Sequence, residues 1–555
     1  MLSRNPAIFA LLLALCVSAQ LDDETLGLSQ HAFPSTPNST VNESLRPVVD
    51  LGYARYEGVY DESTSTNRFL GIRYAAPPTG PLRWRPPQSP AREADDAEPS
   101  KADALPPMCY GTGFGFAPLD PPPMFDLPFS EDCLFLNQGT DARAKKPVLV
   151  WIHGGGFNVG SIRGYTGQDI FDGQDLVDAS NGDFVVVVIQ YRLNVFGFLS
   201  GEEVKQEGVL NAGLLDQQFA LQWIQSHIAK FGGDPNDVTL FGESAGGASV
   251  IQHIIANGGQ TDPPLFHKAL IASYSALPQY DYNHPVVEND YAALLRATDC
   301  SSLACLRTVD APMLRAAAYA ICASKFYGSF SFLPVVDGEL IRKRPLKALL
   351  AGRVNVDKLL ATTNTNEGAY FTNPALAHLP LADLVSGWFP ALPAEQVAKA
   401  VEIYQPLGTP EEVQRTLVAE AVFVCPSYSI SPGFKDFYKA TLAVAPAGHG
   451  HDVNYYFKSP SPTRSRASSR ASRATSGRRL DGQRGTPASS LALSTLSGRC
   501  CSNGVVWPSW SKARPAEVLF NVTESGEPYV VPMRTDPGLL ARCEFWRGLS
   551  EYLGQ

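Results

Sequence analysis

The chain has 555 residues, with 55 acidic against 45 basic side chains for a formal net charge of −10. Hydrophobic residues at 44% and charged residues at 18% exclude a wholly disordered chain, and 46 glycines with 44 prolines but no G-X-Y period exclude collagen. The acidic balance argues against general nucleic-acid binding, which needs a basic face to displace counterions from phosphate.

At the N-terminus, MLSRNPAIFALLLALCVSAQ carries one positive charge, Arg4, then an apolar run from Ala7 to about Val17, and small residues at Val17 and Ala19. This is the layout of a secretory signal peptide over residues 1–19. The run falls well short of the ~20 apolar residues that a spanning helix needs. No later stretch is apolar enough to span a bilayer, and the terminal EYLGQ is neither a retention signal nor a lipid-anchor tail. The mature protein is therefore expected to be secreted and extracellular, with no integral membrane association. Residues 20–46 are polar and read as a mobile arm with N-x-S/T sequons at Asn38 and Asn42; a third sequon lies at Asn521. The nine cysteines beyond the leader (109, 133, 300, 305, 322, 425, 500, 501 and 543) can pair on the secretory route. Their odd number leaves at least one free, lost to processing or paired with another chain.

PVLVWI at 147–152 and FVVVVIQY at 184–191 are continuous apolar runs, as expected of strands buried on both faces of a mostly parallel sheet. Between them, His153-Gly154-Gly155-Gly156-Phe157 closes the first strand. A glycine run there leaves backbone N–H groups free to point into a cavity. From 212 to 230 the residues Leu214, Leu215, Leu221, Ile224 and Ile228 recur at helical spacing, and GGDP at 232–235 stops that helix. A short strand at 238–241 then runs into Gly242-Glu243-Ser244-Ala245-Gly246 and a small-residue helix start. Strands alternating with helices imply an α/β layer architecture.

That pentapeptide is a G-x-S-x-G pattern between a predicted strand and a predicted helix. The chemistry needs this spacing: the serine sits on a strained strand-to-helix turn, and the glycines let neighbouring backbone approach. The N–H groups of Gly155, Gly156 and Ala245 could together receive the charge on a tetrahedral intermediate, an effect worth ~3–4 kcal/mol per donor. A serine nucleophile also needs a base and an orienting acid, usually in the chain order Ser, Asp/Glu, His. From the residues alone Glu367 is one carboxylate among many. His449 and His451 compete for the part of base, and His-x-His could also suggest a metal pair. With no cysteine, histidine or acidic cluster at ligand spacing nearby, neither a metal nor a cofactor is expected.

Taken with FLGIRYAAPP at 69–78, EDCLFLN at 131–137, YRLNVFGFL at 191–199 and FGGDPNDVTLFGESAGG at 231–247, these motifs resemble the type-B carboxylesterase/lipase family. The resemblance covers about residues 48–457, resumes over the last fifty, and leans toward the fungal secreted branch. It implies the α/β-hydrolase fold, with a large, mostly parallel central sheet flanked by helices, as one catalytic domain over 47–555. It selects Glu367, in Asn366-Glu367-Gly368, as the acid. It selects His449 as the base, since that histidine alone has glycine next and an acid, Asp452, three residues on. It also implies disulfides Cys109–Cys133, Cys300–Cys305 and Cys425–Cys543, with no counterpart for Cys322, Cys500 or Cys501.

The function so implied is a secreted serine carboxylic-ester hydrolase working through Ser244, Glu367, His449 and an acyl-enzyme. Activity should fall as pH drops through the pKa of His449, near the unperturbed ~6.5. The alternatives are an interfacial lipase or sterol esterase of the same family, and a non-catalytic, cholinesterase-like adhesion protein. The presence of all three catalytic residue types weighs against the last. The partner is a small-molecule or lipid ester, not nucleic acid; oligomeric state stays open. Residues 110–132 hold no tryptophan, against a quaternary-ammonium site. Phe114, Phe116, Met124, Phe125 and Phe129 in that loop are either packing of a surface loop or an apolar lip favouring acyl or aromatic esters. ASYS at 272–275 departs from the family's small Ser-Gly-Ser block.

One tract, 459–499, interrupts the pattern: it is nearly all Ser, Arg, Ala, Gly and Pro, and cannot bury enough apolar surface to order itself. It reads either as an insert cut at Arg478-Arg479, or as a translated intron or frame error that replaces a structural helix; the second reading is preferred. The tract holds eight arginines and one aspartate, a net +7, so the rest of the chain sits near −17 rather than −10.

Overall fold

Unbroken β-branched runs make strands that are apolar on both faces, and such strands form the centre of this chain. The computed structural model describes residues 46–62, 64–124, 127–140, 145–165, 171, 173–180, 182–457, 508–523 and 528–555. The leader, the arm before residue 46 with Asn38 and Asn42, Phe125, and the 459–499 tract with Cys500 and Cys501 lie outside the described residues.

Eleven strands form the main sheet: β1 (Val59–Asp61), β2 (Thr66–Arg73), β3 (Phe135–Thr140), β4 (Lys146–Ile152), β5 (Val185–Ile189), β6 (Gly233–Glu243), β7 (Lys268–Ala272), β8 (Lys358–Asn364), β9 (Asp436–Leu442), β10 (Ala516–Val522) and β11 (Pro528–Arg534). Their order is β11-β10-β9-β8-β7-β6-β4-β5-β3-β2-β1. From β5 across to β10 every pairing is parallel, with Val150 of β4 opposite both Val187 and Leu240. Antiparallel strands close both edges.

Along β4, Val148, Val150 and Ile152 join one hydrophobic cluster while Leu149 and Trp151 join another; on β5, Val185, Val187 and Ile189 oppose Val186 and Val188 in the same way. Both faces are covered, which is why these runs show no polar alternation. Each such side chain contributes roughly 1.5–3 kcal/mol on full burial. Helix α1 (Ala212–His227) covers one face with Leu214, Leu221 and Ile224. On the other face lie Leu176 and Val177, with Val453 and Tyr456 from the chain after β9.

Two boundaries differ from the sequence expectation. The last turn of the 212–230 helix tightens into a 3-10 turn over Ile228–Phe231, which Gly232 ends at φ 82°. Strand β6 starts at Gly233 rather than 238, and its register against β4 shifts between Gly233 and Val238, where DPND is accommodated. Disulfides join Cys109 to Cys133, Cys300 to Cys305 and Cys425 to Cys543, while Cys322 is free and buried. Asn521 lies near the end of β10, half-buried. Among the described residues no helix is long and apolar enough to cross a membrane.

Candidate active site

Four segments that leave the carboxyl ends of parallel strands converge on one crevice, the usual ligand position in an open α/β sheet: the glycine run after β4, Ser244 after β6, Glu367 after β8 and His449 after β9. Ser244 turns the chain from β6 into helix α2 (Ala245–Ile255) with φ 56° and ψ −121°. Holding a non-glycine residue there costs on the order of 1–3 kcal/mol. The turn is held by hydrogen bonds from Ser244 N–H to Ala272 O at 2.9 Å and from Ala248 N–H to Ser244 O at 2.9 Å. Gly246 lets α2 press against the end of β4: a Cβ there would lie 2.0 Å from Ile152 O.

The Ser244 hydroxyl faces Nε2 of His449 at 2.8 Å, and Nδ1 of the same ring meets Glu367 Oε2 at 2.6 Å. Glu367 is fully buried, and its other oxygen accepts the Ser273 hydroxyl at 2.8 Å and the Asn364 N–H at 2.6 Å. Phe423 and Phe371 pack on the His449 ring, with centroids at 4.3 and 5.0 Å. The two sequence candidates for the base are thus separated: His449 stands between serine and acid, while His451 turns to Tyr370.

A second carboxyl comes with the elbow itself. Glu243 Oε1 lies 3.3 Å from His449 Nε2, and Oε2 accepts the Tyr165 hydroxyl at 3.1 Å. Burial chiefly, opposed by His449 and reinforced by Asp452 and Glu367, pushes the Glu243 carboxyl up to about 8. For His449, burial disfavours the imidazolium, but Glu243, Glu367 and Asp452 together outweigh it, so its pKa is raised above that of free imidazole. The sequence expectation of an unperturbed value is corrected upward by these carboxyls.

Gly155 and Gly156 turn through positive φ, 107° and 61°. A Cβ on Gly156 would lie 2.1 Å from the Phe330 ring, so only glycine lets that aromatic wall stand against the loop. Asn158 fixes the loop by donating to Gly156 O at 2.9 Å and Ser331 O at 2.8 Å. Among the described residues no protein acceptor takes up the N–H of Gly155, Gly156 or Ala245. Behind Phe330 lies a cavity of about 450 Å³, walled also by Leu277, Phe332, Leu333 and Trp388. The Asp290–Lys325 ion pair, at 2.5 Å, lies in its wall. In the loop between the first cysteine pair, Phe114 stacks on Phe116 at 4.9 Å and meets Phe330 edge-on at 6.1 Å, while Met124 is exposed. Part of that loop therefore packs, and its aromatic face reaches the cavity wall.

Sequence reasoning did not assign Glu243, Tyr165, Ser273, Phe371 or Phe423 to the site. Glu243 stood inside the G-x-S-x-G motif and Ser273 inside the atypical ASYS block; the other three carry no local signal.

The chain matches the carboxylesterase family over residues 46–387. It is 31% identical over 428 residues to the secreted triacylglycerol lipase LIP1 of Gibberella zeae, covering 72% of this chain and 71% of that one. It is 33% identical over 382 residues to the carboxylesterase patB of Penicillium expansum, covering 60% and 67%. Among solved structures, EstA of Aspergillus niger superposes with a TM-score of 0.74 at 26% identity, covering 93% of this chain and all of that one. The chain belongs to the carboxylesterase family, as a carboxylic-ester hydrolase with the α/β-hydrolase fold.

Proposed function

We propose that the chain is a secreted serine esterase that works through an acyl-enzyme. His449 takes the Ser244 proton at Nε2 as the serine oxygen attacks the ester carbonyl. The N–H groups of Gly155, Gly156 and Ala245 hold the oxyanion. His449 then gives the proton to the leaving alcohol, and water repeats the cycle on the acyl-serine. Glu367 holds the Nδ1–H tautomer and the ring orientation. What carries this reading is the unbroken relay of 2.8 and 2.6 Å between Ser244, His449 and Glu367.

We assign the acyl group to the cavity behind Phe330: none of the catalytic residues lines it, but the Phe330 ring in its wall stands against Gly156 of the glycine loop. The cavity volume lies in the ordinary range for small-molecule sites, which favours acyl or aromatic esters of modest size over long lipid chains. Secretion is supported by the leader-like first nineteen residues and by the secreted relative from Gibberella zeae. The test is turnover of p-nitrophenyl esters of graded acyl length, with and without micelles, beside the Ser244→Ala variant. Loss of turnover and of fluorophosphonate labelling in that variant supports the mechanism; wild-type turnover overturns it. A rise in rate only above the micelle threshold would move the assignment to an interfacial lipase.

A further inference from the structure

His451, which the reaction does not use, lies two residues beyond the base in the same loop. Its Nδ1 accepts the N–H of Gly448 at 3.2 Å, and its Nε2 meets the Tyr370 hydroxyl at 2.7 Å. Because Nδ1 accepts, the proton of the neutral ring sits on Nε2 and is donated to the tyrosine oxygen. This is the opposite tautomer to that of His449. Tyr370 ends the 3-10 turn Glu367–Tyr370, which begins with the acid. A single side chain therefore joins the loop that carries the base to the turn that carries the acid.

The two segments are tied on the other flank as well, by a hydrogen bond from Asn366 N–H to Ala447 O at 2.9 Å. His449 is thus bracketed: a backbone bond precedes it, and the His451–Tyr370 contact follows it beyond Gly450, which turns through φ 75°. Gly448 leaves room for the clamp, since a Cβ there would lie 3.1 Å from the Tyr370 ring. Further downstream the chain is tied again by Asp452, which accepts the Asn364 amide at 3.0 Å and the Tyr456 hydroxyl at 3.0 Å, so the His451–Tyr370 contact is the tie nearest to His449 on that side.

We infer that His451 is a positioning residue that holds His449 in register between Ser244 and Glu367 by clamping the base loop to the acid turn through Gly448 and Tyr370. The inference rests on the proposed roles of Ser244, His449 and Glu367. A loop displacement on the order of 1 Å is enough to lower turnover up to a hundredfold. Substrate binding in the cavity behind Phe330 should be little affected.

The test compares His451→Ala, His451→Gln, Tyr370→Phe and the double variant His451→Ala/Tyr370→Phe on p-nitrophenyl acetate, with thermal melts of each. Glutamine can place its amide N–H near the position of Nε2 and still donate to Tyr370. The expectation for His451→Ala is a fall in kcat of about tenfold with KM within about twofold and an unchanged melt. His451→Gln should recover to within about threefold of the wild type. Tyr370→Phe should fall less than His451→Ala, and the double variant should fall no further than His451→Ala, since both changes cut one connection. Wild-type kcat in His451→Ala overturns the inference, as does a loss that glutamine does not rescue and that follows a lowered melt. Ser244→Ala and His449→Ala separate the two levels: if either keeps wild-type turnover the catalytic reading itself fails, whereas if both are inactive and His451→Ala is not impaired only the clamp fails.

Discussion

The Glu243 carboxyl stands 3.3 Å from Nε2 of His449, the same ring nitrogen that faces Ser244. A base must be neutral to act, so activity is present above the pKa of His449 and is lost as pH falls through it. Because that pKa is raised, the acidic limb of kcat/KM should lie above the ~6.5 of free imidazole. The Glu243 carboxyl is itself pushed up to about 8, so it is largely protonated where that limb falls, and Glu243→Gln, which mimics the neutral acid, should leave the limb close to its wild-type position. A kcat/KM profile between about pH 5 and about pH 9 measures both positions.

Glu367 receives Nδ1 of His449 while Ser273 and the Asn364 N–H hold its other oxygen. Glu367→Gln keeps the packing but presents an amide, which stabilises neither the imidazolium nor the Nδ1–H tautomer. The expected loss in kcat is on the order of 10³- to 10⁴-fold with little change in KM. Steady-state kinetics on a small soluble ester check it.

Gly156 is where the loop conformation and the cavity wall meet. In Gly156→Ala the new methyl enters the space of the Phe330 ring and strains a φ of 61°, so the oxyanion donors shift. Turnover should fall by about 10²-fold. Adding Phe330→Ala restores the space but not the backbone preference, so the double variant should recover only part of the activity. The same double variant should accept bulkier acyl groups, which the ester panel reads directly.

The parts of this site that were legible in the sequence are those whose chemistry is local. Ser244 and the glycine run need particular neighbours within a few residues, and β4 and β5 advertise their burial because both faces are apolar. Strand β9 gives no such signal: its centre is Lys439, fully buried, with its pKa lowered to about 8 by desolvation and its ammonium bonded to Thr363 Oγ1 at 2.6 Å and Ala440 O at 2.9 Å. Strand β10 likewise hides Glu517, satisfied by Tyr428 and Thr441. A buried charge paired across strands looks, in one dimension, like a surface position. Glu367 became visible only through the family block around it. The approach of Glu243 to His449 joins residues far apart in the chain and leaves no mark in either neighbourhood.

Beneath the site, Arg192 and Asp216 lock the segment after β5 to helix α1. The guanidinium donates to both carboxylate oxygens at 2.7 Å, the Arg192 N–H adds a third bond at 3.0 Å, and both side chains are buried. Burial raises the Asp216 pKa, and the charge and hydrogen bonds of Arg192 oppose that shift. Arg192→Met removes the partner and leaves a carboxyl in a dry interior, where it must either stay charged without compensation or take up a proton. The expected cost is about 3–5 kcal/mol, read as a lowered urea midpoint. Replacing both, as Arg192→Met with Asp216→Leu, removes the desolvated charges together and should restore much of that loss. A double variant more stable than either single one would show that the pair is costly to break but not itself the source of the stability, and its esterase activity would report whether the lock also holds the site above it.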